Sequence, residues 1–565
     1  MLVLIPLAVL LFASAFVSAQ TTDPQGAVSS RAGSPSPYPV TVSRGNRGLG
    51  GFNFTSVLGL YYSATIFVNG VPYQVQLDTG SSDTWIDPTS IGVTLPPDLI
   101  YTGVNSTTHY VDNSSASGPI VLANVSFGPY TVYNQAITLS YNGTNGRGAY
   151  NGLMGLAGYS LEANGYRSSV IHYSLANTAY VENGIPIVYN MFEHEPDLPN
   201  YTTLLMERRD GVIASGGILT ISEVLSDMTE TLDAPRLIAV QPDQWNTFLD
   251  GIYVDGVFMH GGSKFENQTV LDAYKGSPME TIINNMHMPA GSTLATFDTG
   301  TSLIYAPPSY VHAIYENVPG AQLMPMDETG QVIYMVPCTT KMNITFSING
   351  VLYPIHPIDA ISLMIQDDGL MCQGSLTGGT TADTDWLLGD SFLRNVYILF
   401  GYGDPDGDLA AKQPYTQLLS LTNPDEAWLE FEYLLLQQVL GFAEFSGNVT
   451  FPAYTGVGPT ASLTEIPPSP TAIGGGDLAV AGAASESDLD SPSKPQVDLS
   501  TLTRTSYITL GLLAAALLLL LLTLLLIVKA NRTNAGYRAL STGDLARGKV
   551  FVGERDSAYD TPYDS

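Results

Sequence analysis

From about Leu60 the chain alternates apolar and polar residues in short runs. Tyr73, Val75 and Leu77 alternate with Gln74 and Gln76, a period of two that predicts a half-buried strand ending at Asp78. Leu294, Ala295 and Phe297 lead in the same style to Asp298. Gly and Asn recur between short apolar runs and no long helical period dominates, so the pattern predicts an all-β body. Leu429 to Leu440 is an apolar run that fits a short helix or a strand equally well.

Two stretches break this pattern. Met1 to Val17 is almost wholly apolar and is followed by the small residues Ser18 and Ala19, as in a secretory signal, although no Lys or Arg precedes it. Ile508 to Val528 is an uncharged apolar run of 21 residues. As a helix it spans roughly 30 Å, the hydrocarbon thickness of a bilayer. Lys529, Arg532, Arg538, Arg547, Lys549 and Arg555 follow it, which places the tail on the cytoplasmic side. Before it, about 459 to 505 is rich in Ser, Thr, Pro, Gly and Ala, the composition of a stalk. The expected organisation is a signal at 1–19, a polar lead-in or short prosegment at 20–55, and two lobes at 56–240 and 241–458. A stalk at 459–505, a transmembrane helix at 506–528 and a tail at 529–565 complete it. At 565 residues the chain is too long for one core and suits two lobes plus extras.

The candidate chemistry lies where the two strands end. Asp78-Thr79-Gly80-Ser81-Ser82 recurs as Asp298-Thr299-Gly300-Thr301-Ser302, 220 positions later (298 minus 78). Two carboxyl groups brought close cannot both ionise easily, so they share a proton and titrate as a pair. The charged member can take a proton from water while the protonated member polarises a peptide carbonyl. Glycine allows the sharp turn and close approach. Thr79 and Thr299 can donate hydrogen bonds between the turns, and Ser81 and Thr301 can donate to the carboxylates.

These turns and their surroundings resemble the pepsin family of aspartic endopeptidases, its fungal membrane-anchored members most. The resemblance runs from about Tyr62 to Leu421. Asp78-Thr79-Gly80-Ser81-Ser82-Asp83-Thr84-Trp85 matches the first signature, and by that match Trp85 supports the flap. His109 to Gly118 resembles the flap hairpin, which makes Tyr110 the flap tyrosine that closes over substrate. Asn151 to Leu156 and Trp386 to Asp390 resemble the apolar-apolar-glycine segments that follow each catalytic turn. The resemblance implies a bilobal, mostly β acid-protease fold with a cleft between the lobes, and Asp78 and Asp298 as the catalytic pair. Asp112 stands where an acidic residue in similar enzymes helps accept a basic substrate side chain. The lead-in is shorter and less basic than the prosegment of many members. Val111 and Asn113 replace two glycines common in fungal flaps.

Composition narrows the partners. The formal net charge is −31, with 21 Lys plus Arg against 52 Asp plus Glu. That argues against nucleic acid, whose phosphates need basic patches, and suits work in acid, where carboxylates are neutral. Cys338 and Cys372, in a secreted context, read as one disulfide, at a place where the family's second lobe has a bridge. Candidate N-glycosylation sites begin at Asn53, Asn105, Asn113, Asn124, Asn142, Asn200, Asn267, Asn343 and Asn448. The expectation is therefore a single-pass type I membrane protein of the secretory pathway, at the cell surface or a vacuolar-type membrane. It is expected to be a monomer that cleaves proteins or peptides and needs neither metal nor organic cofactor. The alternative is a catalytically silent relative that keeps the cleft as a peptide-binding groove.

Overall fold

A computed structural model describes residues 36–446 apart from 45–51, 58–59, 90–93, 112–113, 142–150, 160–168, 209–212, 326–330, 367–368, 380–382 and 404–412. The described residues lie in one compact unit, Met1–Pro470; a second unit, Thr471–Ser565, lies outside them. The expected signal, stalk, apolar run at 508–528 and tail are therefore outside the described residues. Among the described residues no helix is long and apolar enough to cross a membrane.

Strands dominate, and local sequence explains their pairing. Asn69 and Gly70 both take positive φ, 46° and 83°, and close a two-residue hairpin between Tyr61–Val68 and Val71–Asp78, with Val68 opposite Val71. Asn349-Gly350 does the same between Ile344–Ile348 and Val351–Ile355, and Asp255-Gly256 between Gly251–Val254 and Val257–Met259. Asn-Gly and Asp-Gly suit this turn because Asn and Asp tolerate the left-handed region and Gly enters it freely.

The two halves repeat one arrangement. Val71–Asp78 runs parallel to Gly152–Gly155, with Asp78 opposite Gly155, and Gly152–Gly155 pairs antiparallel with Thr84–Ile86. Thr293–Phe297 likewise runs parallel to Trp386–Leu388, which pairs antiparallel with Ile304–Ala306. In each half the glycine that ends the supporting segment permits close packing. A Cβ on Gly155 would lie 2.4 Å from the Ser82 carbonyl carbon, and one on Gly389 would lie 2.1 Å from the Thr301 oxygen.

Strands from both sides of residue 240 share one sheet. Val396–Gly401 pairs with Tyr201–Met206, which pairs with Ile213–Ile221, which pairs in turn with Phe52–Val57. Beneath the second turn, the Phe392 ring lies 5.8 Å from Phe297 and 5.2 Å from Phe346, centroid to centroid. Trp245 lies 5.1 Å from Phe400 and 4.9 Å from Tyr402. Such aromatic packing braces the floor on which the paired turns rest.

Two expectations need correction. The body is mostly β rather than all-β, because the open 429–440 run falls within a 23-residue helix, Pro424–Ser446. Ala427, Phe431 and Leu435 are buried at spacings of four, the helical period that decides between the two readings. Gln76 is also not on a solvent face: it is only 6% exposed, and the strand's last four residues are all buried.

Candidate active site

Each aspartate sits where a buried strand runs out into its turn, so the backbone fixes it before any side-chain contact is made. Both carboxyls are fully buried. The Gly80 amide donates to Asp78 Oδ1 at 2.9 Å, and the Gly300 amide donates to Asp298 Oδ1 at the same distance. Ser81 Oγ donates to Asp78 Oδ2 at 2.5 Å, and Thr301 Oγ1 to Asp298 Oδ2 at 2.8 Å. A Cβ on Gly80 would stand 2.8 Å from Asp298 Oδ1, so only glycine lets the opposite carboxyl approach there.

The turns are locked to each other through their threonines. The Thr79 amide donates to Thr299 Oγ1 and the Thr299 amide to Thr79 Oγ1, both at 3.0 Å. Each hydroxyl passes its own proton on, Thr79 to the Phe297 carbonyl at 3.2 Å and Thr299 to the Leu77 carbonyl at 2.8 Å. A hydroxyl accepts and donates at once, which no aliphatic side chain can do. The electrostatic result is a carboxyl that holds its proton. Burial pushes Asp78 well above the usual carboxylate range and the neighbouring Asp298 adds to the rise, against the opposing bonds from Ser81 and Gly80.

Tyr110 follows directly on Ile100–His109, where that strand turns back towards Ser115–Phe127. Trp85 Nε1 donates to Tyr110 Oη at 2.5 Å, and both side chains pack with Ala116 and Leu153. Val111, next along, packs against Tyr305 and Leu387 of the other half. Asp112 and Asn113 lie outside the described residues.

The family model for eukaryotic aspartyl proteases matches residues 265–412, which include the second turn. Major aspartyl peptidase 1 of Cryptococcus neoformans var. grubii is 23% identical over 375 residues, 63% of this chain and 70% of that one. The chain is thus similar to eukaryotic aspartyl proteases. An Aspergillus fumigatus relative named "Probable aspartic-type endopeptidase" is 26% identical over 395 residues, 62% of this chain and 79% of its own. An Arthroderma otae relative of the same descriptive name is 35% identical over 117 residues, 20% of this chain. That stretch spans only 29% of the Arthroderma relative, and the corresponding matches span 22% of each of two related fungal proteins.

Several groups at this pepsin-like site escaped the reading of the sequence. Gln76 Nε2 donates to the Gly300 carbonyl at 3.0 Å, a further link between the turns. The signal was present, since Gln76 and Thr296 both stand two residues before an aspartate and so share its face of the strand. Ser302 Oγ donates to the Leu60 carbonyl, tying the second turn to the first half's entry strand. Asp390 is 1% exposed, and its amide donates to the Thr301 carbonyl at 2.7 Å. Burial pushes Asp390 well above its usual range; Arg394 opposes the rise and Asp298 adds to it.

Away from the site, Cys338 and Cys372 form a disulfide with Cα atoms 5.1 Å apart. Asn53, Asn105, Asn124 and Asn267 are exposed, and Asn200 and Asn343 are half-buried. Asn113, Asn142 and Asn448 lie outside the described residues.

Proposed function

We propose that this chain is an endopeptidase in which a water held between Asp78 and Asp298 attacks the peptide carbonyl. One carboxylate takes a proton from the water as its oxygen bonds to carbonyl carbon. The other, protonated, carboxyl gives its proton to the carbonyl oxygen. The resulting diol collapses, the carbon–nitrogen bond breaks, and the amine leaves with a proton returned by the pair. The reading rests on one observation: two fully buried carboxyls held by matched donors in turns locked by reciprocal threonine bonds. A pair that retains a proton is in working form in acid. Tyr110, held by Trp85 at the turn of the hairpin, closes over the substrate and excludes water. Asp112 accepts a basic substrate side chain; unchanged cleavage after Lys or Arg by Asp112→Thr would remove that role.

The apolar run at 508–528, with basic residues after it, anchors the chain in a membrane and leaves the catalytic body on the exterior or lumenal side. The test is hydrolysis of a mixed peptide library between about pH 3 and 7 by residues 20–458, beside Asp78→Asn. Cleavage in acid that Asp78→Asn loses is the expected result. A folded wild-type fragment that cleaves nothing at any pH and does not bind a transition-state peptide mimic tightly points to the silent peptide-binding alternative.

A further inference from the structure

The helix Pro424–Ser446 carries two apolar faces, and the pepsin-like site uses neither. The first is docked. Ala427, Phe431 and Leu435 are buried, and Lys341 Nζ lies 4.9 Å from the Trp428 ring centroid and 5.3 Å from that of Phe431. Lys341 also pairs with Glu432 Oε1 at 2.9 Å, which fixes the helix's rotation about its axis. The second face is open. Leu429 is 74% exposed, Tyr433 63%, Leu436 54% and Leu440 50%. Four large apolar side chains exposed in one row call for a partner.

Their spacing describes that partner. Steps of four, three and four residues separate positions 429, 433, 436 and 440. This is the 3.5-residue repeat of a seam that packs against another helix, narrower than the broad stripe of a helix lying on a globular core. Asp425, Glu426, Glu430 and Glu432 border the seam, and the helix contains no Lys or Arg. Helices that lie on lipid surfaces carry basic residues on their polar face, so this border disfavours anionic lipid. A row of this repeat is complementary to itself.

We infer that this face packs against the same helix of a second copy of the chain, in parallel. In parallel register, Leu429, Tyr433, Leu436 and Leu440 each meet their own counterpart. Glu432 then faces Gln437 of the second copy, whereas Asp425 faces Glu430 and Glu426, one step before Leu429 in the row, meets its own counterpart, so the like charges gather at the helix's first turn. The direction rests on the membrane anchoring proposed above, because copies tethered in one bilayer present their helices with the same polarity. Four side chains burying about 100 Å² each give about 800 Å² over both copies, below the roughly 1,200 Å² of a stable interface. The contact is therefore weak in free solution and becomes populated where tethering raises the effective concentration. This departs from the monomer expected from the sequence.

The test uses the full chain in reconstituted membranes. Both native cysteines are paired in the disulfide, so an introduced thiol is alone. Under mild oxidation Leu436→Cys and Leu429→Cys should form a covalent dimer about tenfold or more above Val257→Cys, a position 66% exposed on the hairpin Gly251–Val254 and Val257–Met259. Adding Leu429→Glu to Leu436→Cys should abolish its cross-link. Equal, low cross-linking at 436 and 257 overturns the inference. So does a dye on the Leu436→Cys thiol that brominated lipid quenches without any cross-link, which makes lipid the occupant. Shielding of that same thiol from reagents in the uncross-linked chain also overturns it, since another segment of the same chain then covers the face. The substitutions are at exposed positions, and a folding defect would show as lost peptide cleavage; if membrane insertion itself failed, the anchoring proposal would fail by a separate measurement, alkaline extraction.

Discussion

Asp243 offers a test of why this fold should be an acid fold. It lies 2% exposed beside the backbone of Gly158, and among the described residues its Oδ2 atom has no hydrogen-bond partner. Burial, aided by the charge of Asp383, raises its pKa from the ordinary 3.8 to about 7. The sign follows from proton counting. Below pH 3.8 both folded and unfolded chains hold the proton, and the contribution is fully present. Between 3.8 and about 7 only the folded chain holds it, so each unit of pH favours unfolding by about 1.4 kcal/mol. The loss is complete once pH passes about 7 and amounts to about 4 kcal/mol. Asp83 acts in the same direction to about pH 6, burial outweighing its bonds from Ser169, Ile171 and Val170. Asp243→Asn keeps the shape and removes the titration. Urea unfolding of residues 20–458, followed by tryptophan fluorescence in an Asp78→Asn background to prevent self-digestion, measures both chains from about pH 3.5 to 8. The stability gap between Asp243→Asn and its parent should move in the variant's favour by about 4 kcal/mol across that range. Parallel curves would refute the reasoning, because they would mean that Asp243 ionises in the fold without penalty.

Three further outcomes follow from named contacts. Thr299→Val should cost about 2–4 kcal/mol and most of the activity, since it strands the Thr79 amide and the Leu77 carbonyl, whereas Thr299→Ser should retain both; equal melting of the Val and Ser variants would contradict this. Asp359 accepts Arg208 Nε at 2.9 Å and Arg394 Nε at 2.7 Å. Burial pushes Asp359 up but Arg394 and Arg208 win, so it stays charged and its contribution is lost as pH falls through its depressed pKa. Asp359→Asn, by leaving two arginines without their charge partner, should lower unfolding free energy by about 3–5 kcal/mol at neutral pH. Replacing both Cys338 and Cys372 with Ser opens a bridge across a separation of 34 residues and should cost about 4 kcal/mol, read as a lower urea midpoint.

The sequence by itself determined the two turns, because carboxylate, hydroxyl and glycine at those spacings are local requirements of the chemistry. It also determined the strands that feed them, through alternation in Tyr73 to Leu77, and the hairpin turns, through Asn-Gly and Asp-Gly. Period and turn chemistry are properties of neighbouring residues and can be read in order. Tertiary structure decided everything that depends on what lies opposite. Gln76 looks solvent-facing in its own strand; the second turn, 224 residues away along the chain, makes it a buried donor to Gly300. Asp243 is an ordinary carboxylate until Gly158 and Asp383 close around it. The run from Leu429 to Leu440 fits strand or helix until Lys341 and the body bury Phe431 and Leu435 on one side and leave Leu429 and Leu436 on the other. Local rules set what each segment can form, whereas burial, pairing and charge shifts arise only where distant segments meet.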